Sequence, residues 1–191
     1  NVYTSFLHNI NSLYFNSALT IVDSSEINNN QVYILSDTFS VSETSLHSNN
    51  VNVTSAYSSW SDIEMMYNSG VELNGSANFF LLDYKYNTGP LYIGNATSVI
   101  IDSALFEENH NTALKLEYAS NVLIENSIFR QNTDASSGGG LNFTNVDSAR
   151  VTKVFAELNV ATDGGFASFN SSSNVTVDSL IAFDNHANQE G

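Results

Sequence analysis

Apolar and polar residues follow a long-period pattern along this chain. Phenylalanines recur at intervals of 27, 23, 26 and 28 residues, at Phe79, Phe106, Phe129, Phe155 and Phe183. An alternating aliphatic pair precedes most of them and another apolar pair follows, as in Val99/Ile101 and Leu114/Leu116. Such alternation predicts strands, and a period in the twenties that holds three short strands predicts a three-sided solenoid.

The alternative of a sandwich built from hairpins fits this pattern poorly. Asn74-Gly75 is a dipeptide typical of hairpin turns, but the apolar pairs around it do not mirror one another as a hairpin requires. We therefore expect an all-β fold of seven or eight coils with 20–28 residues each, whose equivalent strands stack in parallel ~4.8 Å apart. Inward residues should form apolar columns in this fold, and the five phenylalanines should form one of them, each directly over its predecessor.

Small and amide side chains mark the predicted corners of each coil. Gly138, Gly139 and Gly140, and likewise Gly164 and Gly165, begin nine residues after a phenylalanine, where a sharp bend favours positive φ. Asparagines follow three phenylalanines by two or three residues, at Asn109, Asn132 and Asn185. Asparagine tolerates the left-handed conformation of a corner, and its amide could bond to the same amide one coil above and form a ladder. The alternative is that they form a merely polar surface.

These motifs resemble a known repeat. Phe106-Glu-Glu-Asn109, Phe129-Arg-Gln-Asn132 and Gly139-Gly140-Leu141 look like the F-x-x-N and G-G-[AG]-[ILV] motifs of polymorphic-membrane-protein-type repeats. Those repeats form right-handed parallel β-helices of the pectin-lyase-like kind in autotransporter passengers and in surface proteins of algae and protists. The resemblance covers residues 71–191 and implies an architecture without an activity. In the coil 146–172, Leu158 stands where the asparagine is expected, and Lys153 stands near an expected aliphatic residue.

We interpret residues 1–191 as one β-helix segment, with clear repeats in 71–191 and less regular coils in 1–70. The region 55–69 is a candidate insertion, since Ser61-Asp-Ile-Glu64 has the form of a capping box and predicts one helical turn. Aromatic residues in that region could form a sugar-stacking platform or cover the core: Tyr57, Trp60 and Tyr67. A start at Asn1, without Met or a leader, predicts a processed product or a piece of a longer protein or fibre.

Composition and charge narrow the function classes. Five Lys and Arg against 20 Asp and Glu give a net charge of −15, which argues against nucleic acid and anionic membranes as partners. The chain has no cysteine and no apolar run long enough to span a bilayer. Its 27 Asn, 28 Ser and 13 Thr are typical of an extracellular or cell-surface β-protein.

Catalysis is not predicted. Asn132-Thr133-Asp134 matches the N-T-D motif of polygalacturonases, but the Asp-Asp pair, Gly-His-Gly and Arg-x-Lys that accompany it in that family do not occur. Counted from the glycines, Asp134 and Asp163 are offset by about three residues, or ~10 Å along a strand. We therefore expect no catalytic residue and no cofactor.

A metal site is not predicted either. The histidines lie far apart in the sequence, at His8, His47, His110 and His186, and no His-x-His pair occurs. A weak calcium site formed by surface carboxylates is not indicated by any motif, although acidic residues are available at Asp102, Glu107 and Glu108.

Six N-x-[ST] sequons occur, at Asn52, Asn74, Asn95, Asn142, Asn170 and Asn174. Chance alone gives about six in a chain of this Asn, Ser and Thr content, so their number carries no weight. Alternation points several of them outward, where an N-linked glycan could attach.

The leading hypothesis is a non-enzymatic extracellular structural or surface protein. It would be a rigid rod that stacks end to end with itself or with related coils, because the ends of a β-helix expose unpaired strands unless they are capped. A second hypothesis is an adhesin that recognises glycans through exposed tyrosines, namely Tyr84, Tyr86, Tyr92 and Tyr118. A polysaccharide-cleaving enzyme is the third.

Overall fold

The computed structural model describes residues 2–3, 6–8, 12–28 and 31–190. These residues form strands and turns, and they include no helix that could cross a membrane. The strands are β1 Val2–Tyr3, β2 Phe6–His8, β3 Ser12–Asp23, β4 Glu26–Asn28, β5 Gln31–His47, β6 Asn50–Met66, β7 Gly70–Lys85, β8 Leu91–Gly94, β9 Ser98–Glu107, β10 Leu114–Glu117, β11 Asn121–Glu125, β12 Ile128–Arg130, β13 Leu141–Thr144, β14 Ser148–Glu157, β15 Val160–Asp163, β16 Ala167–Asn170, β17 Val175–Phe183 and β18 His186–Glu190.

The strands stack as a parallel β-solenoid, which confirms the predicted fold class. Paired residues lie one coil apart in sequence: Gln31 pairs with Asn50, 19 positions on, and Leu114 pairs with Leu141, 27 positions on. Every strand pair in the described chain is parallel. The coils therefore lengthen towards the carboxyl terminus.

Each coil has three faces. The first face contains residues 12–16, 31–35, 50–54 and 70–74 and then β8, β10, β13 and β16. The second contains residues 20–23, 39–42, 58–61, 77–80, 98–102, β11, 148–152 and 175–178. The third contains β4, residues 44–47, 63–66, 82–85, 104–107, β12, 154–157 and 180–183. We call the bends after these faces the first, second and third corners.

Backbone bends at the corners use the left-handed conformation, mostly without glycine. The residues at the third corner have φ between 52° and 58°: Ser48, Tyr67, Tyr86, Glu108, Gln131, Leu158 and Asp184. Among the predicted corner glycines, Gly138 and Gly164 have positive φ, at 69° and 57°. Gly139, Gly140 and Gly165 do not, and close packing explains them instead: a Cβ on Gly140 would lie 2.7 Å from the ring of Phe166.

Inward side chains form apolar columns along the solenoid axis. Phe106 and Phe129 pair in register on the third face, with ring centroids 4.6 Å apart and planes 6° from parallel. Tyr84 precedes them in the same column and Ala156 follows. All four side chains are fully buried, so this column contributes strongly to the core through the hydrophobic effect.

The prediction of a single phenylalanine column is wrong for three of its five members. Phe79 lies in the second face, stacked on Trp60 at 5.4 Å. Phe155 and Phe183 occupy outward positions, because Ala156 and Ala182 take the inward positions of those coils. A shift of one residue in a strand moves a side chain to the opposite face, so counting from Phe155 displaced the repeat by one.

The predicted helical turn and insertion in residues 55–69 are also wrong. Residues 50–66 form β6, which pairs with β5 and β7 along nearly its whole length. Strand pairing on both sides outweighs the local helical preference of Ser61-Asp-Ile-Glu64. In the part of residues 1–70 that the structure describes, paired positions repeat about every 19 residues, which is more regular than expected.

Candidate functional site

A ladder of asparagines runs through the third corner. It consists of Asn49, Asn68, Asn87, Asn109, Asn132, Asn159 and Asn185. The backbone N–H of each of the first six donates to the Oδ1 of the next, at 2.7–3.2 Å. From Asn68 to Asn159, the Nδ2 also donates to that Oδ1, at 2.8–3.0 Å. The first six side chains are at most 1% exposed.

A second bond from each Nδ2 ties the ladder to the preceding strand. Asn132, for example, donates to the carbonyl of Phe106 at 3.0 Å, and Asn159 donates to that of Phe129 at 2.9 Å. Both Nδ2 hydrogens of these residues are therefore used. A buried polar group without a partner costs about 1–3 kcal/mol. A shift of one coil against the next would break these bonds, so each rung holds two neighbouring coils in register.

The structure places the predicted asparagines Asn109, Asn132 and Asn185 in this ladder. The expectation for coil 146–172 is corrected: Asn159 is the rung, and Leu158 is the left-handed residue before it. The ladder residues themselves do not have positive φ, contrary to the reason given for them. Asn49, Asn68 and Asn87 were missed, although their spacing of 19 residues was readable in the sequence.

The N-T-D aspartate has a structural role in the loop after the third corner. Asp134 accepts hydrogen bonds from the Thr112 hydroxyl, from the Ser136 N–H and hydroxyl and from the Ser137 N–H. Asp163 pairs with Ser137, three positions after Asp134, as the count from the glycines predicted. This arrangement orders the loop through a carboxylate that is saturated with local donors.

The described residues contain no cluster of three or more His, Asp or Glu able to hold a metal ion. His47 pairs with Glu64 at 3.0 Å on the third face, and His110 and His186 lie several coils further along. Of the acidic residues considered for calcium, Asp102 lies on the second face and Glu107 on the third. The side chain of His8 lies outside the described residues.

The structure separates the aromatic residues that the sequence grouped. Trp60 is 1% exposed in the core, so Tyr57, Trp60 and Tyr67 form no platform. Tyr84 is also buried, contrary to the expectation that it is exposed. Its hydroxyl donates to the Gly89 carbonyl at 2.8 Å, and burial raises its pKa well above the usual value. Because Trp60 and Tyr84 are buried, neither can contact a glycan at the surface, and the hypothesis of glycan recognition is weaker.

Other tyrosines considered for recognition remain at or near the surface. Tyr67 and Tyr86 stack at the third corner, with centroids 5.4 Å apart and planes 14° from parallel. On the first face, the Tyr92 hydroxyl donates to Glu117 at 3.0 Å, and Lys115 Nζ lies 3.1 Å from the same carboxylate.

The Tyr92 cluster shifts two pKa values. Partial burial and the hydrogen bond to Glu117 raise the pKa of Tyr92 to about 12. The hydrogen bond from Lys115 lowers the pKa of Glu117. On the third face, the hydrogen bond to Glu107 similarly raises the pKa of Arg130. These are ion pairs and hydrogen bonds between neighbouring surface positions.

Grooves and edges offer little enclosed space. Two open grooves of about 570 and 560 Å³ run along the first and second corners of the amino-terminal coils. The second contains several carboxylates, among them Glu43, Asp62 and Glu64. Both grooves are open surfaces that extend over several neighbouring coils.

The carboxyl-terminal edge of the described solenoid exposes side chains that belong to the core in earlier coils. Val177 and Leu180 pair with the buried Val151 and Val154 but are 42% and 36% exposed. Phe169, paired with the buried Phe143, is 40% exposed. This edge, formed by β16, β17 and β18, therefore leaves inward-type apolar residues at the surface of the described chain.

No protein-family model matches this chain, and no curated protein or solved structure is significantly similar to it.

Proposed function

We propose that this chain is a non-enzymatic extracellular or cell-surface structural protein, a β-solenoid rod whose carboxyl-terminal edge stacks on a further coil. When the chain is isolated, a second copy supplies that coil, so that rods join end to end. The observation that carries this proposal is the edge of β16 and β17, where Val177, Leu180 and Phe169 are exposed in inward positions. Covering them is favourable at roughly 25 cal/mol per Å² of apolar surface.

The asparagine ladder supports the same contact. From Asn49 to Asn159, the backbone N–H of each ladder residue donates to the Oδ1 of the next rung. The described chain gives the N–H of Asn185 no such partner in a following coil. A stacked coil with an amide or carbonyl oxygen at this corner would satisfy it, which gives the contact a register as well as apolar area.

Composition and motifs support the extracellular location. The chain is acidic, cysteine-free and rich in Asn, Ser and Thr. Its F-x-x-N and G-G-[AG]-[ILV] motifs resemble the pectin-lyase-like repeats of bacterial and protist surface proteins. A structural role agrees with the bonds of Asp134, whose carboxylate accepts from its own loop and from Thr112 of the preceding coil.

Glycan recognition is the second candidate. It is favoured by the stacked pair Tyr67 and Tyr86, of which Tyr67 is 59% exposed. Aromatic rings offer a flat apolar surface with a polar tip to a sugar. A glycan array with the wild type and with Tyr67→Ala tests this role; loss of a specific signal in the variant would support it.

Sedimentation velocity over a range of concentrations, with electron microscopy of the same samples, tests the stacking. The wild type should form linear oligomers, and Val177→Asp should stay monomeric, because it places a charge in the contact. Thr176→Asp, on the outward side of the same strand, is the matched control and should assemble normally. A wild type that is monomeric at every concentration, or oligomers unaffected by Val177→Asp, would refute end-to-end stacking.

A further inference from the structure

All six sequons lie on one side of the rod. Four are in strands of the first face, at Asn52, Asn74, Asn142 and Asn170, and Asn95 follows directly after β8. Asn174 ends the first corner, just before β17. None lies on the third face or third corner, where the seven ladder asparagines lack Ser or Thr two positions later.

The hydrogen bonds of the two sets of asparagines differ in a way that matters for modification. The ladder residues from Asn68 to Asn159 use both Nδ2 hydrogens inside the protein, as Asn68 does towards Leu46 and Asn87. In contrast, Asn52 and Asn74 each donate one Nδ2 bond, both to Glu72, at 3.3 and 3.1 Å. The second hydrogen of each can therefore be replaced without the loss of a bond shown in the structure.

The remaining sequon residues are similarly free to carry a substituent. Asn95, Asn170 and Asn174 are exposed. Asn95 donates to Asn74 at 3.3 Å and Asn174 to the Asp147 carbonyl at 3.2 Å. Asn142 is half-buried and donates to the Ser137 carbonyl at 3.0 Å. Asn95, Asn142 and Asn174 thus each donate one Nδ2 bond, whereas the Oδ1 of Asn170 accepts from the Ser171 hydroxyl at 3.2 Å.

Exposed tyrosines stand beside two of these asparagines. Tyr33 pairs in register with Asn52 on the adjacent coil and is 41% exposed. Tyr118 occupies the first corner one coil after Asn95, and both have left-handed backbone, with φ of 54°. Tyr118 is 60% exposed. A ring beside a modified asparagine provides an apolar surface on which the first sugar can pack.

We propose that these asparagines carry N-linked glycans, so that carbohydrate covers the first face and first corner and leaves the third face bare. The first sugar on Asn52 packs on Tyr33, and the first sugar on Asn95 packs on Tyr118. This inference rests on the extracellular location in the proposed function. In the transfer, Asn Nδ2 forms a bond to C1 of the sugar, the C1–O bond to a lipid diphosphate donor breaks, the diphosphate leaves, and Nδ2 loses one proton.

Site-resolved mass spectrometry of the full chain secreted from a eukaryotic host tests the attachment. The six asparagines should be glycosylated in the secreted, folded protein. Two added sequons serve as controls. Ile128→Thr places one at Asn126, which is exposed at the second corner, and it should be modified because the host transferase reads any accessible sequon. Gly70→Thr places the other at the buried Asn68. Position 70 can accept a side chain, because a Cβ there would lie in open space and the backbone does not have positive φ.

The Asn68 glycoform should be missing from the secreted fraction, since a glycan there would break the ladder. Bare native sequons beside a modified Asn126 would overturn the proposal, and so would glycans found only on retained, unfolded chains. Because stacking is measured separately by sedimentation, failure here leaves the rod proposal standing, and a monomeric glycoprotein would refute only the stacking.

The tyrosine contacts have their own test. Enzymatic removal of the glycans should lower the Tm of the wild type by about 2–4 °C, the size of shift expected in a chain of this length when a modest packing contact is lost. In the double variant Tyr33→Ala/Tyr118→Ala the shift should be smaller by at least half. An equal shift in both proteins would refute the packing. Phe80→Ala removes an exposed ring from the second face and is the matched control, which should show the wild-type shift.

Discussion

The backbone N–H of Asn132 donates to the Oδ1 of Asn159, 27 residues ahead, at 3.2 Å. The same bond joins Asn49 to Asn68 across only 19 residues. The ladder therefore fixes the third corner although the coils differ in length, and it explains how irregular loops between coils leave the register of the faces intact.

Replacement of a ladder residue should destabilise the fold. We expect Asn132→Ala to lower the free energy of unfolding by about 2–4 kcal/mol, since the Asn109 N–H and Nδ2 both lose their acceptor inside the protein. Urea unfolding followed by circular dichroism measures this. Asn126→Ala, an exposed asparagine at the second corner, should change stability by less than about 0.5 kcal/mol; equal effects of the two variants would contradict the role of the ladder.

The aromatic column makes a separate contribution. Phe129→Ala should cost about 3–5 kcal/mol, because it opens a cavity beside Phe106 and removes a fully buried ring. Phe155→Ala removes a ring of the same size from an outward position and should cost clearly less. If Phe155→Ala cost as much as Phe129→Ala in urea unfolding, both rings would contribute equally to the core, as the single-column prediction requires.

The Tyr92 hydroxyl should lose its proton at a higher pH than an ordinary tyrosine. Its pKa is raised to about 12, so the folded state holds its proton while the unfolded chain releases it near pH 10. The unfolded state then binds fewer protons between these values, and the stabilising contribution, fully present below pH 10, is lost as the pH rises to about 12. Absorbance titration of the wild type minus Tyr92→Phe reports this group, and Glu117→Gln should lower its midpoint.

Salt should promote end-to-end assembly. Each chain carries a net charge of −15, so two rods repel at low ionic strength, where the Debye length is about 30 Å at 0.01 M, and much less at 1 M, where it is about 3 Å. Sedimentation at these two salt concentrations should show longer oligomers in high salt. Shorter oligomers in high salt would indicate that ion pairs, and not apolar contacts, hold the rods together.

The fold was predictable because its signals are periodic. Pairs such as Leu114/Leu116 and Leu141/Phe143 repeat once per coil, and they pair with one another in the structure. Prediction failed where the sequence alone had to show whether a phenylalanine side chain points into the core or outward. Phe155 and Phe129 look equivalent in the sequence, but the register pairs Phe129 with the small Ala156, and the ring of Phe166 lies 5.6 Å from that of Phe129.

The surface was less predictable than the core. Trp60 and Tyr84 are amphipathic residues that suit either side of a strand, and only the stacking of neighbouring coils shows that both are buried. The one-sided distribution of the sequons has the same origin. It depends on which residues share a face, and the sequence of residues 1–70 does not define the coil boundaries that decide this.

Residues added in the longer coils enter the chain between the third corner and the first face. Gly89 and Pro90 stand there in one coil, whereas residues 133–140 fill the same interval two coils later, and β15 and β18 form a short extra sheet beyond it. The triangular cross-section keeps its dimensions because the surplus bulges out at one vertex. That vertex is where a peptide tag or a binding epitope could be grafted while the rest of the scaffold keeps its shape.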